Sequence, residues 1–237
     1  MTSRPRIAVV QHEDGAPLGL LDAWLRDAGA GVQVHRPYAG ERLPGVAEAD
    51  ALIVLGGSMS ATDDDTVGWL AATRQLLVAA VDERLPTLGI CLGHQLLTVA
   101  CGGRVEPNPA GREMGVLPVG LTPGSSYERL FVSLDGGPRR SIQWNNDIAV
   151  ELPPGATVLA ATPARIPQAI RVGASAWGVQ FHPEADARIV TGWAESDGPA
   201  TAATEEAIAA IAAAADELEA TWRPFADRFV AIAAQRP

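Results

Sequence analysis

A cysteine between two glycines is the residue with the clearest capacity for chemistry in this sequence. In PTLGICLGHQ (residues 86–95), Cys91 ends an apolar run, and Gly89 and Gly93 lie two positions to either side of it. A strand-to-helix turn of this kind can hold a nucleophile in a strained conformation with its side-chain tip exposed. The amides that open the following helix would favour a thiolate, and the backbone N–H of Leu92 could donate to an oxyanion. A cysteine considered alone is more often a buried core residue, so this interpretation needs support from elsewhere in the chain.

His182 offers a base for such a thiol. A cysteine nucleophile requires a base, and the base requires a third group that orients it. Pro183 follows His182 and stiffens the turn, and the carboxylate of Glu184 can reach the second ring nitrogen, as in a catalytic triad. The other three histidines have no comparable neighbour, and His94 is predicted to lie on the first turn of a helix.

The spacing of ligand-type residues favours no metal or cofactor site. No Cys or His pair has the spacing of a zinc site, and the run Asp63-Asp64-Asp65 lacks partners at calcium-loop spacing. No GxxxxGK[ST] segment is present either. We therefore expect chemistry carried by side chains alone.

The elements that position these residues alternate between strands and helices in the first half of the chain. Apolar runs predict strands at 6–11, 32–36, 49–57 and 86–91, and helical periodicity predicts helices at 19–29, 66–84 and 93–103. This order predicts an α/β fold with a mostly parallel sheet and helices on both faces.

The second half of the chain has a different character. Residues 103–173 are rich in Pro and Gly, with short apolar runs that predict antiparallel strands added at the sheet edge. A further strand is predicted at 176–186, and helices follow, one of them at 205–218. A last helix has Trp222, Phe225, Phe229 and Ile232 spaced for one face. We expect one α/β domain at 1–198 and a helical extension at 199–237 that packs on it.

Three polar segments follow three of the predicted strands: GGSMSATDD, GICLGHQ and QFHPE. Ligands of an open parallel sheet bind outside the carboxyl ends of its strands. The three segments therefore predict one shared crevice, and this convergence is a stronger argument for a site than any single residue.

GICLGHQ and FHPE, in this order and preceded by IVLGGSMS, resemble the class I glutamine amidotransferase family. The resemblance covers roughly residues 6–193 and implies a flavodoxin-like core. The segment GGSMSATDDD looks most like that of stand-alone members. Those members are described as resembling the amidotransferase domain of GMP synthetase, and they include γ-glutamyl peptide hydrolases.

The resemblance implies a role for each matched residue. Cys91 matches the nucleophile, His182 the general base and acid, and Glu184 the residue that orients the histidine. The backbone N–H groups of Gly57 and Leu92 match the oxyanion hole. The residues expected to contact the substrate are Met59, Gln95, Asn145 and Asn146.

One segment departs from the family pattern. In QWNNDIAV, Asn145 and Asn146 stand where relatives commonly have His and Gly, while Asp147 is retained. In the family this segment helps to hold the amino-acid end of glutamine, largely through backbone groups. Asparagine tolerates unusual backbone angles, so the turn can survive, but the identity of the substrate becomes an open question.

Three functions remain open on this basis. The first is a glutamine-hydrolysing amidotransferase that releases glutamate and ammonia for a separate synthetase subunit. The second is a stand-alone γ-glutamyl peptide or conjugate hydrolase that uses the same residues. The third is a non-catalytic binding protein that keeps the fold.

Composition limits the partners. The formal net charge is −10, from 18 basic and 28 acidic residues, and it argues against nucleic acid as a partner. No apolar run approaches the ~18 residues of a membrane span, and the N-terminal IAVV is too short for the apolar core of a signal peptide. The two cysteines lie ten positions apart across a predicted helix and fit a reducing cytoplasm. We expect a small-molecule substrate, no membrane contact and a cytoplasmic location, and we leave a homo-oligomer open.

Overall fold

The computed structural model describes residues 4–134 and 139–236, and within these ranges the chain forms eleven β-strands and six α-helices. The strands are β1 (Arg6–Val10), β2 (Gly31–His35), β3 (Ala51–Val54), β4 (Thr87–Ile90), β5 (Arg104–Pro107), β6 (Glu113–Leu121), β7 (Arg139–Asn145), β8 (Asp147–Glu151), β9 (Thr157–Ala161), β10 (Pro167–Val172) and β11 (Ala176–Val179). The α-helices are α1 (Leu20–Asp27), α2 (Leu70–Asp82), α3 (Leu92–Ala100), α4 (Ala187–Asp197), α5 (Ala202–Ala213) and α6 (Ala215–Ala233).

Nine strands form one sheet in the order β2-β1-β3-β4-β11-β10-β9-β6-β7. The strands from β2 to β11 in this order are parallel, and the remaining four join as antiparallel strands at one edge. The predicted α/β fold with antiparallel edge strands is confirmed. A separate two-stranded ribbon, β5 with β8, was not predicted.

Helices cover both faces of the sheet because alternate residues of each central strand point to opposite sides. In β1, Ile7 and Val9 belong to one apolar core and Ala8 and Val10 to the other. Helices α1, α4, α5 and α6 contribute to the first core, and α2 and α3 contribute to the second. All residues of β3 and β4 are buried, as expected for strands covered on both sides.

Two predicted helix boundaries were wrong. The helix expected at 66–84 begins only at Leu70, because backbone hydrogen bonds from Thr66 and Val67 to the carbonyl of Asp63 close turns before it. The helix expected at 205–218 is two helices that meet at Ala214, whose φ of −97° and ψ of 6° leave the helical range. An alanine-rich run has high helix propensity throughout, so packing of the two helices on different partners decides where the break falls.

The last helix packs one apolar face on the core, as its spacing predicted. The side chains of Trp222, Phe225, Phe229 and Ile232 are all buried. The ring of Trp222 lies 4.7 Å, between centroids, from that of Phe181, the residue before His182. Its indole N–H donates to the carbonyl oxygen of Arg140, at 3.1 Å. Helix α6 therefore supports the segment that carries the candidate base.

The helices of the described ranges lack the combination of length and apolarity that would let any of them cross a membrane.

Candidate active site

Cys91 is the single residue between β4 and α3, and its backbone conformation is strained. Its φ is 50° and its ψ is −104°, a region that residues with a side chain rarely adopt. The turn is closed by hydrogen bonds from the Cys91 N–H to the Val179 carbonyl (2.8 Å) and from the Gln95 N–H to the Cys91 carbonyl (3.0 Å). A Cβ atom on Gly93 would lie 2.0 Å from the carbonyl oxygen of Val54, so the close approach of helix to strand requires glycine there.

His182 and Glu184 form a buried pair beside this turn. The Nδ1 of His182 lies 2.7 Å from the Oε1 of Glu184, and both side chains are almost completely buried. Gly56 lies between the histidine and the cysteine: a Cβ atom there would be 3.4 Å from the Cε1 of His182 and 3.7 Å from the Cβ of Cys91. The structure thus brings together the three side chains that the sequence analysis selected.

The pair determines the protonation of the histidine. Burial lowers the pKa of His182, but the negative charge of Glu184 and the neighbouring Cys91 sulfur outweigh it and raise the pKa to about 10. These interactions favour the imidazolium form of His182. Its Nε2 is buried and has no hydrogen-bond partner among the described residues. That nitrogen is available to a reacting group.

A buried glutamine touches the thiol. The Nε2 of Gln180 donates to the Sγ of Cys91 at 3.5 Å, and its Oε1 accepts from the Nε2 of Gln95 at 3.3 Å. The same Gln95 nitrogen donates to the carbonyl of Asp147, at 3.1 Å. Gln180 was not among the residues predicted from the sequence, although it lies two positions before His182, a spacing that places both side chains on one side of an extended segment.

Cys91, Gln95 and His182 line a cavity of about 520 Å³. Its volume falls within the ~300–1,000 Å³ that is typical of small-molecule sites. Seven of the residues selected from the sequence line the cavity: Gly57, Met59, Cys91, Gln95, Asn145, Asn146 and His182. Glu184 and Leu92 lie behind this wall and are buried.

The backbone N–H groups of Gly57 and Leu92 have no acceptor among residues 4–134 and 139–236. Leu92 is the first residue of α3, where helical N–H groups have no partner within the helix. A Cβ atom on Gly57 would lie 2.6 Å from the Sδ of Met59, so a side chain at this position would collide with the cavity wall. Both amides are thus free to donate to a ligand oxygen.

The segment that departs from the family pattern forms part of the cavity wall. The Nδ2 of Asn145 donates to the carbonyl of Asp147 (3.3 Å), and its Oδ1 is buried without a partner in the described chain. The carbonyl of Asn146 accepts from the N–H of Asn108 (2.8 Å). The turn therefore keeps a defined conformation with asparagine at both positions.

Sequence reasoning also missed the residues that enclose the cavity. The ring of Trp193, on α4, lies 4.6 Å from that of His182, between centroids, and its N–H donates to the carbonyl of Gly15 (2.7 Å). Glu13 accepts hydrogen bonds from the N–H and hydroxyl of Ser58 and fixes the Gly56-Gly57 turn. Only tertiary packing brings these residues together, so no local pattern indicates them.

The buried histidine next to the turn is excluded from the cavity. His94 lies in the first turn of α3, as predicted, and burial lowers its pKa to about 4. In the part of the chain that the structure describes, no three metal-binding side chains are gathered into one cluster.

The sequence of this chain is similar to those of known glutamine amidotransferases. A family model described as glutamine amidotransferase class-I matches residues 19–189. The glutamine amidotransferase-like protein YfeJ of Salmonella typhimurium is 34% identical over 191 residues, which is 79% of this chain and 79% of the relative. One subunit of the glutamine-hydrolysing GMP synthase of Saccharolobus solfataricus is 30% identical, over 66% of this chain and 77% of the relative.

Two further comparisons concern function and fold. The γ-glutamyl peptidase 5 of Arabidopsis thaliana is 29% identical over 60% of this chain and 56% of the relative. The crystal structure of a glutamine amidotransferase from Thermotoga maritima superposes with a TM-score of 0.86, covers 98% of this chain and 99% of that chain, and is 24% identical. The two chains share a fold.

Proposed function

The chain belongs to the class I glutamine amidotransferase family, and from that membership we propose that it hydrolyses the γ-amide of glutamine through a thioester on Cys91. The products are glutamate and ammonia. The observation that carries the proposal is the His182–Glu184 pair, 2.7 Å apart, beside a cysteine held at a strained turn on the cavity wall.

The first half of the reaction forms the thioester. The Cys91 thiolate adds to the γ-carbonyl carbon, and the carbonyl oxygen becomes an oxyanion that accepts from the N–H groups of Gly57 and Leu92. Each such donor is typically worth ~3 kcal/mol of transition-state stabilisation. The His182 imidazolium gives its proton to the departing nitrogen, so that the C–N bond breaks and ammonia leaves.

The second half of the reaction regenerates the enzyme. His182, now neutral, removes a proton from a water molecule that attacks the thioester carbonyl. The C–S bond breaks, glutamate leaves, and the thiolate–imidazolium pair is restored. Glu184 holds the imidazole ring throughout and stabilises its charged form.

Ammonia released in this way serves a separate synthetase subunit in the leading form of the proposal. The relative from S. solfataricus is named as one subunit of a glutamine-hydrolysing GMP synthase, which supports a partner of this kind.

A second candidate is a γ-glutamyl peptide or conjugate hydrolase. The cavity volume of about 520 Å³ favours it, since that space extends beyond what one glutamine side chain needs. The similarity to the γ-glutamyl peptidase of Arabidopsis thaliana also supports this candidate. Only the leaving group differs, so the same residues carry both reactions.

A substrate panel tests the proposal. Purified wild type, Cys91→Ala and the control Cys101→Ala are assayed for glutamate release from glutamine and from γ-glutamyl dipeptides. We expect Cys91→Ala to lose about three orders of magnitude or more in rate, and Cys101→Ala to retain activity. A strong preference for dipeptides would select the second candidate.

Activity that survives in Cys91→Ala would refute both candidates. An inactive wild type whose Cys91 also resists a glutamine-like diazoketone would instead indicate a binding protein.

A further inference from the structure

Two neighbours fix the orientation of an arginine that lines the cavity. The Nη2 of Arg112 donates to the Oδ2 of Asp197 at 2.6 Å, and its Cζ lies 4.7 Å from the ring centroid of Trp144. The Trp144 indole N–H donates to the same Asp197 oxygen, at 3.0 Å. All three side chains line the cavity. The guanidinium plane is therefore held in one orientation before any ligand arrives.

The hydrogen-bonding capacity of Arg112 is incompletely used. Its Nε is buried and has no partner within the described ranges, and its Nη1 donates to no described residue. Leaving a buried donor unpaired is costly, and an exposed ion pair alone contributes little to stability. An arginine with such unpaired donors is suited to bind a ligand that accepts hydrogen bonds from them.

The charges of the cavity single out the same residue. Among the described residues that line it, Arg112 is the only lysine or arginine. The carboxylates of Glu13 and Asp63 are already occupied by Ser58 and Ser60. A negative group of the substrate thus has one fixed cation to bind inside the cavity, apart from His182.

Strand pairing and backbone hydrogen bonds link the position of Arg112 to the segment that carries His182. It directly precedes Glu113, which pairs with Asn145 in the β6–β7 ladder, and the backbone N–H of His182 donates to Ile142 of the same β7 strand (2.8 Å). Trp193 and Asp197 lie one turn apart on α4, the first against His182 and the second against Arg112. A substrate whose amide is at Cys91 can therefore extend towards Arg112.

We propose that Arg112, stacked on Trp144, binds a carboxylate of the substrate and makes the enzyme selective for γ-glutamyl compounds over simple amides. The inference rests on the proposed function, because it assumes that a γ-carbonyl binds at Cys91. The planar guanidinium suits carboxylate recognition better than an ammonium group does. Two carboxylates fit this chemistry, the α-carboxylate of the γ-glutamyl group and the carboxylate of an amino-acid leaving group.

The test uses two ligand pairs that differ by one carboxylate. Glutamine and 4-aminobutanamide differ in the α-carboxylate, and γ-glutamylglycine and γ-glutamylethylamide differ in that of the leaving group. Dissociation constants are measured by calorimetry in the Cys91→Ala background, where no turnover occurs. Arg112→Met is compared with Arg112→Lys and with Arg223→Met, an exposed arginine that pairs with Asp27 outside the cavity.

We expect Arg112→Met to weaken binding of the carboxylate-bearing member of one pair by about tenfold or more, and to leave its carboxylate-free partner unchanged. Arg112→Lys should recover part of the loss, and Arg223→Met should change nothing. The pair that responds identifies the carboxylate.

An equal effect on both members of each pair, or no effect, would overturn the inference. Its failure is separable from that of the proposed function, because binding is measured without hydrolysis. Tight, Arg112-dependent binding with no turnover in the wild type would refute the hydrolase and keep the carboxylate site.

Discussion

At the scale of single residues, Gln180 contacts the sulfur of Cys91, the proposed nucleophile. Its side-chain N–H donates to the Cys91 sulfur, and a donor to an ionised sulfur favours the thiolate. We predict that Gln180→Leu lowers the rate of Cys91 alkylation by iodoacetamide at neutral pH by about tenfold, the size of a hydrogen bond to a charged group. The rate is measured in a Cys101→Ala background, so that Cys91 is the single thiol.

Gln168→Leu is the matched control for this change. Gln168 is equally buried, but its Oε1 accepts a hydrogen bond from Gln143 (2.8 Å) and it does not contact the sulfur. Its variant should keep the wild-type alkylation rate. Identical rates for all three proteins would show that the Gln180 contact has no influence on the thiol.

Residue types and order were enough to select Cys91, His182 and Glu184, because a thiol, a base and an orienting carboxylate have few alternatives in a chain with two cysteines and four histidines. Arg112 and Trp193 escaped notice for a physical reason. Each acts through a neighbour that is distant in sequence, and nothing near either residue encodes that neighbour.

At the scale of elements, helix α6 is expected to stabilise both the fold and the segment that carries His182. Trp222 is buried against Phe181, which directly precedes His182. We predict that Trp222→Ala lowers the free energy of unfolding by about 3–5 kcal/mol, the usual cost of removing a large buried aromatic. The measurement is urea unfolding followed by circular dichroism.

The control for this prediction is Val78→Ala, on the half-exposed face of α2, which should change stability by no more than about 0.5 kcal/mol. A Trp222→Ala protein as stable as this control would mean that the 199–237 extension contributes little to the core. The division of the chain at residue 198 remains a prediction, and a chain ending there should fail to fold if α6 is needed.

The alternation of strands and helices followed from hydrophobic periodicity, whereas element ends did not. Apolar runs in the sequence predict that β3 and β4 are buried on both faces. No sequence signal predicts the break at Ala214, because alanine supports a helix equally well on either side of it. Only the separate packing of α5 on β6 and of α6 on α1 decides that boundary.

At the scale of the whole molecule, two buried histidines contribute to the loss of stability in acid. Burial lowers the pKa values of His12 and His94 to about 4, below the unfolded value of 6.5. Between pH 6.5 and 4 the unfolded chain therefore binds more protons than the folded chain, and stability falls as the pH falls. The expected slope is about 1.4 kcal/mol per pH unit for each histidine.

Unfolding free energies measured at pH 7, 6, 5 and 4 test this prediction. His94→Leu should reduce the slope by about 1.4 kcal/mol per pH unit, the contribution of one proton. Leu96→Val, a core change in the same helix, should change the unfolding free energy by the same amount at every pH. A slope that His94→Leu leaves unchanged would contradict the prediction.

The strained conformation of Cys91 also bears on how such a protein changes over generations. A φ of 50° is costly for any residue with a side chain and costs glycine almost nothing. Selection for thermal stability alone would therefore replace Cys91 by glycine and relax the turn. If the proposed function is right, a cysteine that persists at this position in a lineage reflects continued selection for reactivity against a constant pressure towards more stable, inactive descendants.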